Sequence, residues 1–372
     1  MKYIIFTPHL GKGGAEKIII DLANNISSST TKLFIFFNSK ESIDNFDLLN
    51  HDKIDVIYLT NFNSLSTKSK RLKVIKLILY IFSPLISLWI YFKYKIYHND
   101  IVHINMTMSS FYSLYFNVYK RFFRKKEKYV ETFHTNRHLL KFFPKKIFAI
   151  NWRFIDLLVY EIGEDEFKDG VNTKRKVYIP FSIDPKRYKT HSNNKSTDII
   201  HISTLARVRR FEKKLDLQIE LIKKLKSNKI NFKYYFAGDG QDLKWIKREV
   251  IKYNLSENVV FLGYVKDISV ISSFTDLMIV TVVEEKSGIA GLESMLSNIP
   301  IIGIQTLNQI IGSHIFNSKN VDELYKFIEN LHYNVDKYEI YKKEQYKKAL
   351  KINNFKNFIK KYQNEFKKVL DY

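Results

Sequence analysis

The chain has no cysteine, which excludes disulfides, thiolate metal sites and a cysteine nucleophile and fits a cytoplasmic protein. Nucleic-acid modules are missing as well. There is no zinc-ligand spacing, no RNP-like strand and no basic region running into heptads. No short-period repeat and no low-complexity tract is present. Residues 1–6 read directly as a strand, so no signal peptide is expected. No Asp-x-Asp pair follows a candidate strand. The acidic triplet Glu164-Asp165-Glu166 reads as a loop, so no metal site is expected.

Acidic residues are also in deficit. Against 61 Lys and Arg stand 38 Asp and Glu, a formal net charge of +23. A field of that sign implies an anionic partner. With nucleic-acid modules absent, the candidates are sugar nucleotides, lipid phosphates and an anionic membrane surface.

A length of 372 residues suggests about two domains. Short apolar runs rich in Ile, Val, Tyr and Phe alternate with helical stretches, the pattern of buried parallel strands in βαβ units. Candidate strands are residues 3–7, 32–37, 55–59, 100–104, 128–133, 157–160 and 176–179, then 198–203, 232–237, 259–262, 277–280 and 299–304. The polar stretch 185–197 (PKRYKTHSNNKST) separates the two series and reads as a linker. The expected organisation is a first domain at 1–184, the linker at 185–197 and a second domain at 198–352. A last helix at 353–372 has apolar residues at helical spacing and is expected to pack back on the first domain. The fold class is α/β, with two doubly wound parallel sheets. Ligands of such sheets bind at the carboxyl ends of the strands, here in a cleft expected between the domains.

Residues 74–92 are almost wholly apolar, interrupted by Lys76 and Ser83-Pro84 and flanked by lysines and Arg71. Three readings stay open: a kinked core helix pair, interfacial docking on anionic lipid, and a membrane span.

Residues 285–293 (EKSGIAGLE) follow a candidate strand and open a helix. Ser287, Gly288 and Ile289 stand where the first unpaired N–H groups of that helix attract phosphate. Glu293 lies a turn further in, placed to accept from ribose hydroxyls, and Glu285 precedes the helix. Taken alone, the two acids also read as ordinary helix-flanking carboxylates. After the first strand, Gly13 and Gly14 allow a tight strand-to-helix turn. Arg207, Arg209, Arg210 and Lys213 form a basic run after residues 198–203, which read alone is a solvated face.

The 285–293 segment resembles the Glu-x7-Glu motif of retaining GT-B glycosyltransferases of family 4. Lys286 and Ser287 stand where that family usually has Gly-Phe. Residues 11–17 (GKGGAEK) are similar to its Gly-Gly-Ala-Glu element, and residues 100–105 (DIVHIN) to its Asp-Ile-Val-His strand. Residues 179–184 (IPFSID) are similar to its Ile-Pro-Asn-Gly-Ile-Asp element. The resemblance implies transfer of a sugar from a nucleotide diphosphate sugar, UDP-sugar foremost, to an acceptor hydroxyl with retention of configuration and without a metal. It implies His134, Glu285, Arg207 and Lys213 as catalytic residues. It further implies Gly13, Gly14, Tyr264, Ser287, Gly288, Ile289 and Glu293 as donor-binding residues, with His103 structural. The basic, apolar first domain points to a glycan or lipid-linked acceptor and to peripheral attachment at the inner face of the cell membrane. The departures at Lys286 and Ser287, and the missing glycine pair at residues 306–312, keep a non-catalytic partner of another glycosyltransferase as the alternative.

Overall fold

The structure, a computed structural model, describes residues 2–11, 13–26, 31–36, 38–39, 45–59, 61–62, 71, 75, 78, 81–105, 107–134, 151–161, 172–188, 198–281, 288–304 and 315–371. The chain divides into two compact units, Met1–Ile183 with Phe355–Tyr372, and Asp184–Asn354.

The first unit is built on seven parallel strands. They are β1 (Tyr3–Thr7), β2 (Thr31–Ile35), β4 (Ile54–Tyr58), β6 (Ile101–Asn105), β7 (Lys128–Phe133), β8 (Leu157–Tyr160) and β9 (Lys176–Tyr178), in the order β4-β2-β1-β6-β7-β8-β9. A separate two-stranded ladder pairs β3 (Asn38–Ser39) with β5 (Asn61–Phe62). The central strands β1 and β6 are buried along their whole length, which is why they read as mostly apolar runs rather than alternating ones. Helices α1 (Gly14–Ile26), α2 (Ser83–Lys93) and α3 (Thr107–Phe122) follow β1, β5 and β6.

The second unit has six parallel strands. They are β10 (Ile200–Leu205), β11 (Phe232–Ala237), β12 (Val259–Gly263), β13 (Leu277–Val280), β14 (Ile301–Ile304) and β15 (Phe316–Ser318), in the order β12-β11-β10-β13-β14-β15. Its helices are α4 (Leu215–Ser227), α5 (Leu243–Lys252), α6 (Ser269–Ser272), α7 (Ile289–Leu296), α8 (Val321–Tyr333) and α9 (Val335–Ile352). Ile219, Ile222 and Leu225 of α4 and Leu324 and Ile328 of α8 pack with the sheet in one core cluster. In each unit the order of connection reverses beside the first strand, between β1 and β6 and between β10 and β13. That crevice at the carboxyl ends is where doubly wound sheets bind ligands.

The last helix, α10 (Phe355–Leu370), belongs to the first unit. It buries Phe358, Tyr362 and Phe366. Phe366 packs 5.5 Å from the Tyr3 ring, and Glu365 pairs with Arg175 at 2.7 Å.

The stretch read as a linker, 185–197, opens on ordered residues. Asp184 caps a short 3-10 turn at Pro185–Arg187 by accepting from the Lys186 N–H at 3.0 Å, and Asp184 through Tyr188 belong to the second unit. An Asp-Pro pair starts a turn rather than a flexible tether. Residues 189–197 lie outside the described residues. Strand β15 was not anticipated: it is a three-residue edge strand whose middle residue, Asn317, is exposed, too short to show a period. Among the described residues no helix is long and apolar enough to cross a membrane.

Candidate active site

In the second unit the loop after β10, residues 206–214, lies against the loop after β11. Gly238 and Gly240 make this possible. A Cβ on Gly238 would stand 1.9 Å from the Ala206 carbonyl oxygen, and one on Gly240 would stand 2.2 Å from that of Val208. The Val208 N–H donates to the Asp239 carbonyl at 3.0 Å, and the Arg210 N–H donates to Asp242 Oδ2 at 2.8 Å. Glycine is used here for close backbone approach.

The three arginines of this loop differ in their commitments. Arg209 pairs with Glu212 at 2.6 Å. Arg210 reaches Asp216 with two nitrogens, at 3.0 and 2.8 Å, and lies 4.2 Å from the centre of the Trp245 ring. Arg207 is exposed and has no ion-pair or hydrogen-bond partner for its guanidinium among the described residues. Its charge is available to a ligand, whereas those of its neighbours are spent within the protein.

A buried glutamine holds the far end of the loop. Gln218 is 1% exposed. Its amide nitrogen donates to the Lys213 carbonyl and to Thr281 Oγ1, both at 2.9 Å. Its amide oxygen accepts from Thr204 and Tyr234, both at 3.1 Å. Thr281, just past β13, also donates to the Lys213 carbonyl, at 2.5 Å. All four hydrogen-bonding positions of Gln218 are therefore used, and the Lys213 backbone is fixed to the end of β13.

Helix α7 begins at Ile289 after Gly288, which has φ 61° and ψ 20°. That left-handed conformation suits a residue without Cβ. Glu293 is 4% exposed, and Tyr188 donates to its Oε1 at 2.9 Å. Tyr264 is half-buried and directly follows Gly263 at the end of β12. Thus Arg207, Lys213, Tyr264, Gly288, Ile289 and Glu293 all stand at or beyond the carboxyl ends of β10, β12 and β13. Glu285 and Ser287 lie outside the described residues.

The first unit carries a chain of polar side chains across the ends of four strands. Thr7, Asn105, His134 and Glu161 stand at the carboxyl ends of β1, β6, β7 and β8. His134 Nδ1 lies 2.6 Å from Glu161 Oε2, and Nε2 lies 2.5 Å from Asn105 Oδ1. The Asn105 amide nitrogen donates to Thr7 Oγ1 at 3.3 Å, and Thr7 donates to the His9 carbonyl at 3.2 Å. Both ring nitrogens of His134 are therefore engaged inside the protein. His103 is fully buried between Tyr3 OH at 2.5 Å and Thr132 Oγ1 at 2.7 Å. Burial, with His134 nearby, lowers its pKa to about 3.

The glycine turn before α1 has a local cause. A Cβ on Gly13 would stand 2.0 Å from Glu16 Oε2, and Glu16 is itself buried and 3.1 Å from His9 Nδ1. A carboxylate in the first turn of its own helix is favoured by the helix dipole. Gly13 leaves room for that carboxylate, a local role that requires no phosphate. Gly14 opens α1 beside it.

Asn105, Glu161, Gln218, Thr281 and Tyr188 were not singled out from the sequence. Asn105 and Glu161 each stand within a residue of a predicted strand's carboxyl end, which is the signal that would have found them. Gln218 offered none, since a polar residue within an amphipathic helix reads as solvent-facing.

Residues 183–348 match the family model described as glycosyl transferases group 1. No curated protein matches the chain. Several solved structures share the fold over nearly the full length. HepE of Anabaena, solved with UDP and glucose, is 14% identical with a TM-score of 0.73, covering 99% of each chain. Sucrose-phosphate synthase of Thermosynechococcus elongatus is 13% identical with a TM-score of 0.76, covering 100% of each. A TarM variant of S. aureus, solved with fondaparinux, α-GlcNAc-glycerol and UDP, is 10% identical with a TM-score of 0.72, covering 98% of this chain and 99% of that one. Two all-parallel sheets with interleaved helices, matched end to end by these structures, make the fold of this chain GT-B, and the group 1 match spans most of its second unit.

Proposed function

We propose that the chain is a glycosyltransferase that moves a sugar from a nucleotide diphosphate, UDP foremost, to a hydroxyl of a glycan or lipid-linked acceptor. The observation that carries this reading is Arg207: an exposed guanidinium with no partner among the described residues, at the carboxyl end of β10, beside the strand whose following helix starts after Gly288. The group 1 match and the UDP complexes of the structural relatives point to the same donor class.

As the bond from the anomeric carbon to the leaving oxygen lengthens, positive charge gathers on the sugar and negative charge on the diphosphate. Arg207, Lys213 and the amides of residues 287–289 are assigned to that diphosphate. Donors fixed in place before the reaction stabilise such charge without reorganising. Glu293 is assigned to the ribose hydroxyls, with its second carboxylate partner already in Tyr188, and the backbone at Tyr264 to the base. Glu285 and His134 are assigned to the transferred sugar, Gly13 and Gly14 to the turn that leads into α1, and the first unit to the acceptor. The reaction is read as retaining from the resemblance to family 4; since no carboxylate is assigned as a covalent nucleophile, the acceptor attacks from the side the diphosphate leaves, and a diphosphate oxygen takes its proton. Side chains and helix ends carry the leaving charge, so transfer needs no metal. The protein is assigned to the inner face of the cell membrane, peripherally attached.

A thermal-shift screen against UDP-, GDP-, CMP- and ADP-sugars, followed by a transfer assay with and without EDTA and by assignment of the product anomer, tests each part. Stabilisation by UDP or a UDP-sugar with turnover in EDTA is expected. Stabilisation without turnover on any acceptor would move the protein to the non-catalytic partner class, and no stabilisation by any nucleotide would end the donor assignment.

A further inference from the structure

Helix α2 is inside out. Ser83 and Ser87 face the interior at 1% and 0% exposure, with Ile90 and Tyr91 beside them. Ile81, Phe82, Leu85, Trp89 and Phe92 face solvent, Leu85 at 65%. These fall at intervals of one, three and four residues, so they form one stripe along the helix. Helix α3 widens it. Val118 and Phe122 are exposed one turn apart, Phe122 at 79%, and Phe123 meets Phe92 edge to face at 5.0 Å. The two helices are joined where Tyr119 donates to the Pro84 carbonyl at 2.5 Å, and α2 is tied to the core where Tyr91 donates to the buried Glu127 at 2.7 Å. A contiguous apolar face of this kind marks an interaction site, because water alone does not favour it.

The rim identifies the partner. Among the described residues beside this face, Lys93, Lys95, Arg121, Arg124 and Lys126 are exposed, while Lys120 is spent on Asp156 at 3.2 Å. The sequence from 56 to 126 as a whole carries twelve Lys and Arg against the single acid Asp100. Lys93 lies 4.3 Å from the Trp89 ring centre, so its ammonium sits at the border between the apolar stripe and water. Lys125 stands 4.5 Å from the Tyr97 ring, and Arg121 and Arg124 adjoin Phe122 and Phe123. Aromatic and aliphatic groups inside a basic rim, with no helix among the described residues long enough to span, suit the interface of an anionic bilayer.

We infer that the face formed by α2 and the end of α3 docks on an anionic lipid surface, with Leu85, Trp89, Phe92 and Phe122 entering the headgroup boundary and the lysines and arginines around them meeting lipid phosphates. This deepens the membrane half of the proposed function by naming the surface and the lipid charge it requires.

The test uses the full chain with phosphatidylcholine vesicles, with and without phosphatidylglycerol, and flotation as the readout. Binding is expected to be at least about tenfold tighter with phosphatidylglycerol and to weaken about fivefold for each rim lysine replaced, as at Lys93→Gln. Leu85→Glu with Trp89→Glu is expected to abolish flotation while leaving the thermal shift with UDP intact, which shows that the variant is folded. Brominated lipid is expected to quench indole fluorescence, and Trp89→Phe to remove that quenching while flotation persists; Trp152 is buried and Trp245 is stacked on Arg210. Equal binding to both vesicle types, or flotation without quenching at Trp89, overturns the inference. So does a dimer in the absence of lipid that Leu85→Glu dissolves. Docking by a chain that no nucleotide stabilises leaves this inference standing and removes only the donor assignment.

Discussion

Arg207→Ala separates a catalytic guanidinium from a solvated one. The side chain is exposed and no described group relies on it, so its removal leaves no buried atom unsatisfied. Surface changes of that kind usually stay within about 0.5 kcal/mol. For a domain of this size that is a shift in Tm of about 1–2 °C. The effect on the reaction is of another order. One well-placed donor to a developing charge is worth about 3–4 kcal/mol, which at about 1.4 kcal/mol per decade is a loss of about 10²–10³ in kcat. Arg209→Ala and Arg210→Ala are the internal controls. Their guanidiniums are held by Glu212 and by Asp216 with Trp245, and both substitutions are expected to leave kcat within about threefold. The assay is steady-state transfer or donor hydrolysis for the three variants, with melting curves alongside. If Arg207→Ala keeps kcat within that threefold margin, or if Arg209 or Arg210 proves to be the costly position, the reasoning from unpaired charge fails.

Gln218→Met removes two donated and two accepted hydrogen bonds while Thr281 still donates to the Lys213 carbonyl, so a loss of about 2–4 kcal/mol is expected. Because the loop carrying Arg207 and Lys213 is then held less firmly, KM for the donor is expected to rise; a lower Tm with unchanged KM would reduce Gln218 to a structural role. Glu293→Gln keeps an oxygen for Tyr188 but removes the charge, and is expected to raise donor KM about 10- to 100-fold with little change in melting temperature; an unchanged KM would take the ribose away from Glu293. His103 has a folded pKa of about 3 against an ordinary value of about 6.5, so between those values the unfolded chain binds the extra proton. Stability is full above about pH 7 and falls as the pH drops through 6.5 toward 3, by about 2 kcal/mol at pH 5. Urea unfolding at pH 8 and pH 5 is expected to show that excess loss in the wild type and not in His103→Gln, and parallel losses in both would discard it.

The fold was legible because buried parallel strands announce themselves. Tyr3–Thr7 and Leu277–Val280 are nearly continuous apolar runs buried almost throughout, as strands covered on both faces are. The edges were harder. The apolar run starts before β14: the Ile299 N–H turns back to the Ser294 carbonyl at 2.9 Å, and Pro300, which has no N–H, offers β13 only its carbonyl, to the Met278 N–H at 3.0 Å. Site residues on the strand ends were legible from position alone, whereas Gln218 and Tyr188 were not. Each acts through a partner remote in sequence, Thr281 and Glu293, and no local pattern encodes such a meeting. Residues 74–92 were legible as unusual but not as oriented. Their composition is uniformly apolar, so only the packing of Ser83 and Ser87 inward reveals which face is left outside.

The two units differ in how much of their polar chemistry is already satisfied, and that difference bears on which residues act on a ligand. In the first unit His134 is held at both nitrogens, and Glu161 is fully buried behind it. Tyr362 of α10 reaches the same region, where its hydroxyl lies 3.2 Å from Thr132 Oγ1 and where burial and the Glu161 charge raise its pKa. Such a network fixes geometry, because any member that turned toward a ligand would leave a buried partner unsatisfied. In the second unit Arg207 is exposed and unpaired among the described residues, while Gln218 and Thr281, which fix the Lys213 backbone at the other end of its loop, are engaged. A rigid support carrying an unspent charge is the arrangement that stabilises charge developing elsewhere. It follows that substitutions at His134 and Arg207 should differ in kind. His134→Ala removes a member of a buried network and is expected to lower stability and activity together. Arg207→Ala is expected to lower activity alone, so the split between melting temperature and kcat separates a sugar-facing residue held in a buried network from a free charge that stabilises the leaving diphosphate.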